Sequence, residues 1–214
     1  MPPRIPLFLC LLLSAACGGG SGSNLGVQGP PSARSVAESS SDFSGVQKCP
    51  QSGSYETYLK TEQSKAPDRY STDKKTWDEL KAAGANDSYI AAYADAPSDC
   101  DQFGSGNIQG KVAEVFAVRF QDSAKAVAAY STSKGQFHLT DSDVAQLKAF
   151  GATVQDGAAT GFGPNSSVVK FSIASVTAYI ALWQNKEFEV AMLTYNLPLT
   201  AGPAAATKVN SRVR

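Results

Sequence analysis

The segment Lys111–Phe120 reads KVAEVFAVRF. Alternation places Val112, Phe116 and Phe120 on one side and Val115 and Ala117 on the other. A strand apolar on both sides must lie inside a sheet that is covered on both faces. That requirement sets the architecture, because every other segment has to extend the sheet or cover it. Ser167–Ile173, Thr177–Gln184 and Glu187–Tyr195 read as three further strands, the last two separated by Asn185-Lys186. Connections this short join antiparallel neighbours. Asp122 caps an expected helix from Ser123 to about Tyr130, with Ala124, Val127 and Ala128 inward. Thr140 starts another that ends at Gly151, with Val144, Leu147 and Phe150 inward. Pro203 suits the first turn of a last helix that turns Val209 and Val213 to one face. Lys208, Arg212 and Arg214 then form its basic, solvated C-terminal end.

The region from Gln51 to Cys100 reads as helical and rich in loops. Thr76-Trp77-Asp78-Glu79 has capping-box spacing, for a helix to about Ala83 that Gly84 stops. Asn86 is placed to cap a short helix carrying Tyr89, Ile90 and Tyr93, ended by Pro97. The expected fold is therefore α+β: a mainly antiparallel sheet with a C-terminal three-strand meander, helices packed on it, and one disulfide.

That disulfide follows from counting cysteines. Of the four, Cys10 lies in an apolar stretch, Ile5–Leu13, preceded by Arg4 and followed by the small residues Ser14, Ala15 and Ala16. This is the layout of a secretory signal peptide over residues 1–16. A general signal peptidase accepts Ser14 and Ala16 at its small-residue positions. The alternative cut uses Cys17 as a lipidated first residue. An exported chain favours paired cysteines, so lipid on Cys17 leaves Cys49 and Cys100 to bridge. Residues 17–47 are dominated by Gly, Ser and Pro and read as a tether. Residues 48–214 form one extracytoplasmic domain.

Chemistry-bearing motifs are sparse. Only one histidine, His138, is present, so no paired-histidine metal site can form. No Gly-x-Ser-x-Gly elbow occurs. Asp95, Asp99 and Asp101 surround Cys100 without the spacing of a calcium loop. Gly104–Gly110 and Ala159–Ser167 lead into strands, where a glycine loop cannot seat a phosphate on a helix. Formal charge is zero, and cleavage after Ala16 would leave 18 basic against 19 acidic residues. No basic patch points to nucleic acid. No metal, cofactor or catalytic residue is therefore assigned. Phe162, between Gly161 and Gly163, and Tyr179 and Trp183, which share a strand face, are the candidate ligand contacts.

Leu13-Ser14-Ala15-Ala16-Cys17 resembles the processing site of bacterial lipoprotein precursors, with Ser14 where that family prefers Leu. The resemblance implies a chain anchored in the cell membrane or outer membrane through lipid on Cys17. The strand–helix VFAVRFQDSAKAVAAY and the closing strands with their helix are similar in layout to small extracytoplasmic lipoproteins and kinase sensor domains of bacteria. That similarity implies a non-catalytic binding or sensing domain for an unknown small ligand. A structural protein docking to an envelope partner is the alternative, and a hydrolase using His138 is a third.

Overall fold

The computed structural model describes residues 31–65, 67–100, 109–132, 139–173 and 176–213. Cys17, His138, Asp101 and Arg214 lie outside them, as does the signal sequence. The chain runs α1 (Ala33–Ala37), β1 (Gln47–Lys48), α2 (Tyr55–Lys65), α3 (Pro67–Ala82), β2 (Ala85–Ala94) and α4 (Pro97–Cys100). It continues with β3 (Val112–Phe120), α5 (Ser123–Thr132), α6 (Asp141–Ala149) and β4 (Thr153–Asp156). After a 3-10 turn at Gly157–Thr160 come β5 (Ser166–Ile173), β6 (Val176–Asn185), β7 (Phe188–Tyr195) and α7 (Ala201–Ser211).

All seven strands form one antiparallel sheet, ordered β1-β2-β3-β7-β6-β5-β4. The meander therefore has four strands, since β4 adds to the expected three. β3 lies between β2 and β7 and is buried along almost its whole length, as its two apolar faces require. Val112, Phe116, Val118 and Phe120 enter one core with Tyr55, Tyr58, Trp77 and Leu80 from α2 and α3 and Ala126, Ala129 and Tyr130 from α5. Ala113, Val115 and Ala117 enter a second core with α1 and α7. We refer to these as the α5 face and the α7 face.

The Cys49–Cys100 disulfide is present, with Cα atoms 5.6 Å apart. It ties the segment just after β1 to α4 across β2. Closing a loop of this length contributes about 4 kcal/mol in the chain-entropy picture. Thr140 caps α6 through a reciprocal box with Asp143, and Asp122 accepts from the Lys125 amide at the start of α5.

Several expectations are corrected. The folded part begins before residue 48, because residues 31–46 are not a tether. Ala33, Val36, Ala37 and Phe43 are buried in the α7 face. They are few, but the alanines of β2 and β3 beneath them let α1 approach closely. Their edges are fixed by polar contacts: Asp87 accepts from the Ala33 amide and Arg119 donates to the Pro31 carbonyl. Thr76 is no N-cap; it lies inside α3 and donates to the Thr72 carbonyl. The segment from Asn86 is strand β2, not a helix. Tyr89, Ala91 and Tyr93 face α7, while Ile90, Ala92 and Ala94 face α5. Apolar residues on both faces erase the periodicity that separates strand from helix. Pro97 opens α4 instead of ending a helix.

On α5 the inward stripe is Ala126, Ala129 and Tyr130, and Val127 is exposed. Alanines surround this helix, so the bulk of Tyr130 decides which side is buried. Phe150 is 50% exposed at the end of α6 instead of facing inward. The basic end of α7 is not simply solvated. Arg212 forks onto Asp42, at 2.8 and 2.6 Å, and donates to the Val36 carbonyl, while Lys208 donates to the Ser41 carbonyl.

Candidate functional site

The three residues proposed as ligand contacts all lie in the α7 face. Phe162 stacks on Trp183, with ring centroids 5.0 Å apart, and Trp183 is fully buried. Tyr179 is buried beneath α7, where a side chain at Gly202 would collide with its ring. Burial pushes the Tyr179 phenol up to about 12. The expected pairing of Tyr179 and Trp183 on one face is correct, but helix and loop cover that face, leaving no open platform at these rings.

The opposite face holds groups that the sequence reading passed over. Strand parity puts Glu114 of β3 on the α5 face, between Val112 and Phe116. Glu189 of β7 joins it there, ahead of Ala191 and Leu193. Glu189 is 0% exposed, and neither carboxyl oxygen has a hydrogen-bond partner among the described residues. Glu114 is buried as well, and its Oε2 has no partner. Isolated carboxylates in an apolar interior shift toward the neutral acid. Burial alone raises Glu189 to about 8, and burial alone holds Glu114 well above the carboxylate range.

Glu189 sits across from Gln184 on β6 and Val118 on β3. Gln184 is already committed: its amide donates to the Lys186 carbonyl at 2.6 Å and its oxygen accepts from Asn165 at 2.9 Å. Helix α5 lies over β3, β6 and β7 and brings Tyr130 to this place. Burial raises the Tyr130 phenol, a hydrogen bond from Ser167 opposes that shift, and the Asp156 and Glu189 carboxyls reinforce it. Gln184 stands directly opposite Glu189 in the sheet and Tyr130 of α5 lies within electrostatic reach of it, with no ion pair to Glu189 among the described residues.

Elsewhere in the fold, carboxylates are well supplied. On the α7 face Glu38 accepts from Tyr89, from Lys48 at 2.7 Å and from Arg34 at 3.2 Å. The buried Asp73 accepts from the Tyr58 hydroxyl. Against that pattern the bare state of Glu189 is an exception. A legible signal existed: one acidic residue in each of two strands, VAEVFAV and FEVAMLTY, at positions whose neighbours of the same parity are all apolar.

No group of three His, Cys, Asp or Glu side chains suited to a metal ion occurs among the described residues. Asp95 and Asp99 crowd Gly110, and Asp99 is raised by partial burial and by its hydrogen bond to Asp95. The Lys111 amide donates to Asp95 at 3.0 Å, giving the pair a structural use. The depression along α3, from Tyr70 to Ala82, is open and lined by Lys74, Lys75, Asp78 and Glu79, which pair among themselves. No helix among the described residues is long and apolar enough to cross a membrane.

Comparison with family models, curated proteins and solved structures finds no match. The functional reading accordingly rests on the sequence and on this geometry.

Proposed function

We propose that this chain is a lipid-anchored cell-envelope lipoprotein whose folded part is a non-catalytic binding or sensing domain, with the α5 face around Glu189 as its recognition site. The observation that carries the reading is the Glu189 carboxyl, fully buried with both oxygens unpartnered. A purely structural core gains nothing from such a group, since an apolar side chain of similar size would be more stable there. Retaining it is explained by a state in which it acquires a partner or a charge. Glu114 and Glu189 are four strand positions apart, about 13 Å at the usual rise per residue, too far to act as an acid–base pair on one bond. Lipid on Cys17 places the domain outside the cytoplasm, at the cell membrane or outer membrane.

The test uses the mature full chain with Cys17→Ser, purified without lipid. A thermal-shift screen against lipids, glycans and small metabolites should yield at least one stabilising ligand, and the parent chain, unlike the variant, should incorporate a palmitate analogue in cells. Silence in the screen would end the ligand reading; equal labelling of both chains would end the anchor. A second reading, a structural protein docking to an envelope partner, is favoured by one corner of the sheet. Phe150 and Ile173, 50% and 42% exposed, flank the β4–β5 pair at the same end.

A further inference from the structure

Glu189 has no ion-pair partner among the described residues, and its cover from α5 is made mainly of small side chains. The half of the α5 face beneath α2 and α3 is closed by large rings, with Tyr55 packed against Phe116 and Trp77. Over Glu189 the cover is α5, which contributes only Ala126, Ala129 and Tyr130. Next to it α6 has no fully buried residue and rests on the core through partly buried positions such as Leu147. Two alanines give little dispersion or hydrophobic adhesion, about a third of what leucines would supply per position. Displacing α5 from the sheet gives up the burial of two alanines and Tyr130, and it uncovers the acid. The Gln184 oxygen already accepts from Asn165, and Tyr130 and Ser167 offer hydroxyls.

Acceptors around an uncompensated acid recognise a donor-rich cation. We propose that α5 parts from the sheet to admit an organic cation, an alkylammonium or alkylguanidinium group, that ion-pairs with Glu189 and hydrogen-bonds to Tyr130 or Ser167. This deepens the recognition-site reading given above and rests on it. An ammonium or guanidinium supplies three to five donors. It converts the carboxyl from a desolvated burden into one half of a charge-assisted pair. Binding at neutral pH requires the Glu189 proton to leave, so complex formation releases close to one proton to the buffer. No second and third His, Cys, Asp or Glu suited to a metal ion stands with Glu189 among the described residues.

The experiment uses the mature Cys17→Ser chain, its Glu189→Gln variant and its Glu114→Gln variant. The probes are butylamine, putrescine and agmatine, with potassium chloride and calcium chloride as ionic controls. At a hundredfold excess over Kd, at least one amine or guanidine probe should raise the Tm of the parent by roughly 5–7 °C. Calorimetry in two buffers at pH 7 should report about one proton released. Both signals should vanish in Glu189→Gln and persist in Glu114→Gln. Equal shifts in parent and Glu189→Gln, or a shift reproduced by potassium chloride, would overturn the inference. Should neutral glycans or lipids stabilise all three chains alike while the cations do nothing, the cation is refuted and the binding domain stands. No response to any compound would remove both.

Discussion

Glu189 and Glu114 make stability depend on pH in the direction opposite to ordinary acid denaturation. An unfolded glutamate ionises near 4.3, whereas folded Glu189 keeps its proton until about 8. Between those values the folded chain binds a proton that the unfolded chain has released, so stability falls as pH rises and levels off above about 8. Across that window the loss from Glu189 alone is about 5 kcal/mol. Glu189→Gln keeps the size and removes the titration. Urea melts from pH 5 to 8.5 should show a steep decline in the parent and a shallower one in the variant, where Glu114 still titrates, and the variant should be the more stable protein at pH 8. A parent whose midpoint does not move between pH 5 and 8 would show that Glu189 already has a partner in solution.

At the scale of elements, α7 depends on one residue without a side chain. Gly202, in the first turn, lets the helix approach β6 so closely that a Cβ would fall on the Tyr179 ring. Glycine to alanine in a helix is normally stabilising, by up to about 1 kcal/mol. Here Gly202→Ala should instead cost about 2 kcal/mol through overpacking, seen as a Tm drop of roughly 5 °C. A rise in Tm would mean that α7 sits further from the sheet than described. Elements differed in how plainly the sequence announced them. β3, β5, β6 and β7 were legible because their apolar residues alternate or fill both faces over a full strand. The caps Asp122 and Thr140 were legible because they are local chemistry. β2 was missed because its tyrosines are spaced four apart, which suits a helix as well as a strand, and its alanines are silent on the choice. The buried face of α5 was missed for the same reason: alanine has no preferred side. The candidate site was hidden because strand parity was read only for apolar residues, so Glu114 and Glu189 were not asked what they face.

Across the whole molecule, the segment around α1 and the last helix are joined. Arg212 near the C-terminus holds the buried Asp42 carboxylate in a two-pronged pair and also caps the Val36 carbonyl of α1. Fully buried pairs cost about 3–5 kcal/mol to break by removing one partner. Arg212 is partly exposed, so Arg212→Ala should cost less, about 2–3 kcal/mol. The damage should be local: hydrogen exchange should accelerate first in residues 33–43, while β3 and β7 stay protected. Uniform acceleration over the sheet would show that the N-terminal segment is not a separable unit. The position of that segment has a further consequence. Arg119, which holds the Pro31 carbonyl, is adjacent in β3 to Val118, the strand partner of Glu189. The chain leading from Cys17 thus joins the same end of the sheet that carries Glu189, on the reverse side. With Cys17 in a bilayer as proposed, the intervening residues reach at most about 50 Å. The lipid would then work as a leash on the acid end, while the end bearing Tyr195 would swing a strand length, about 25 Å, further out.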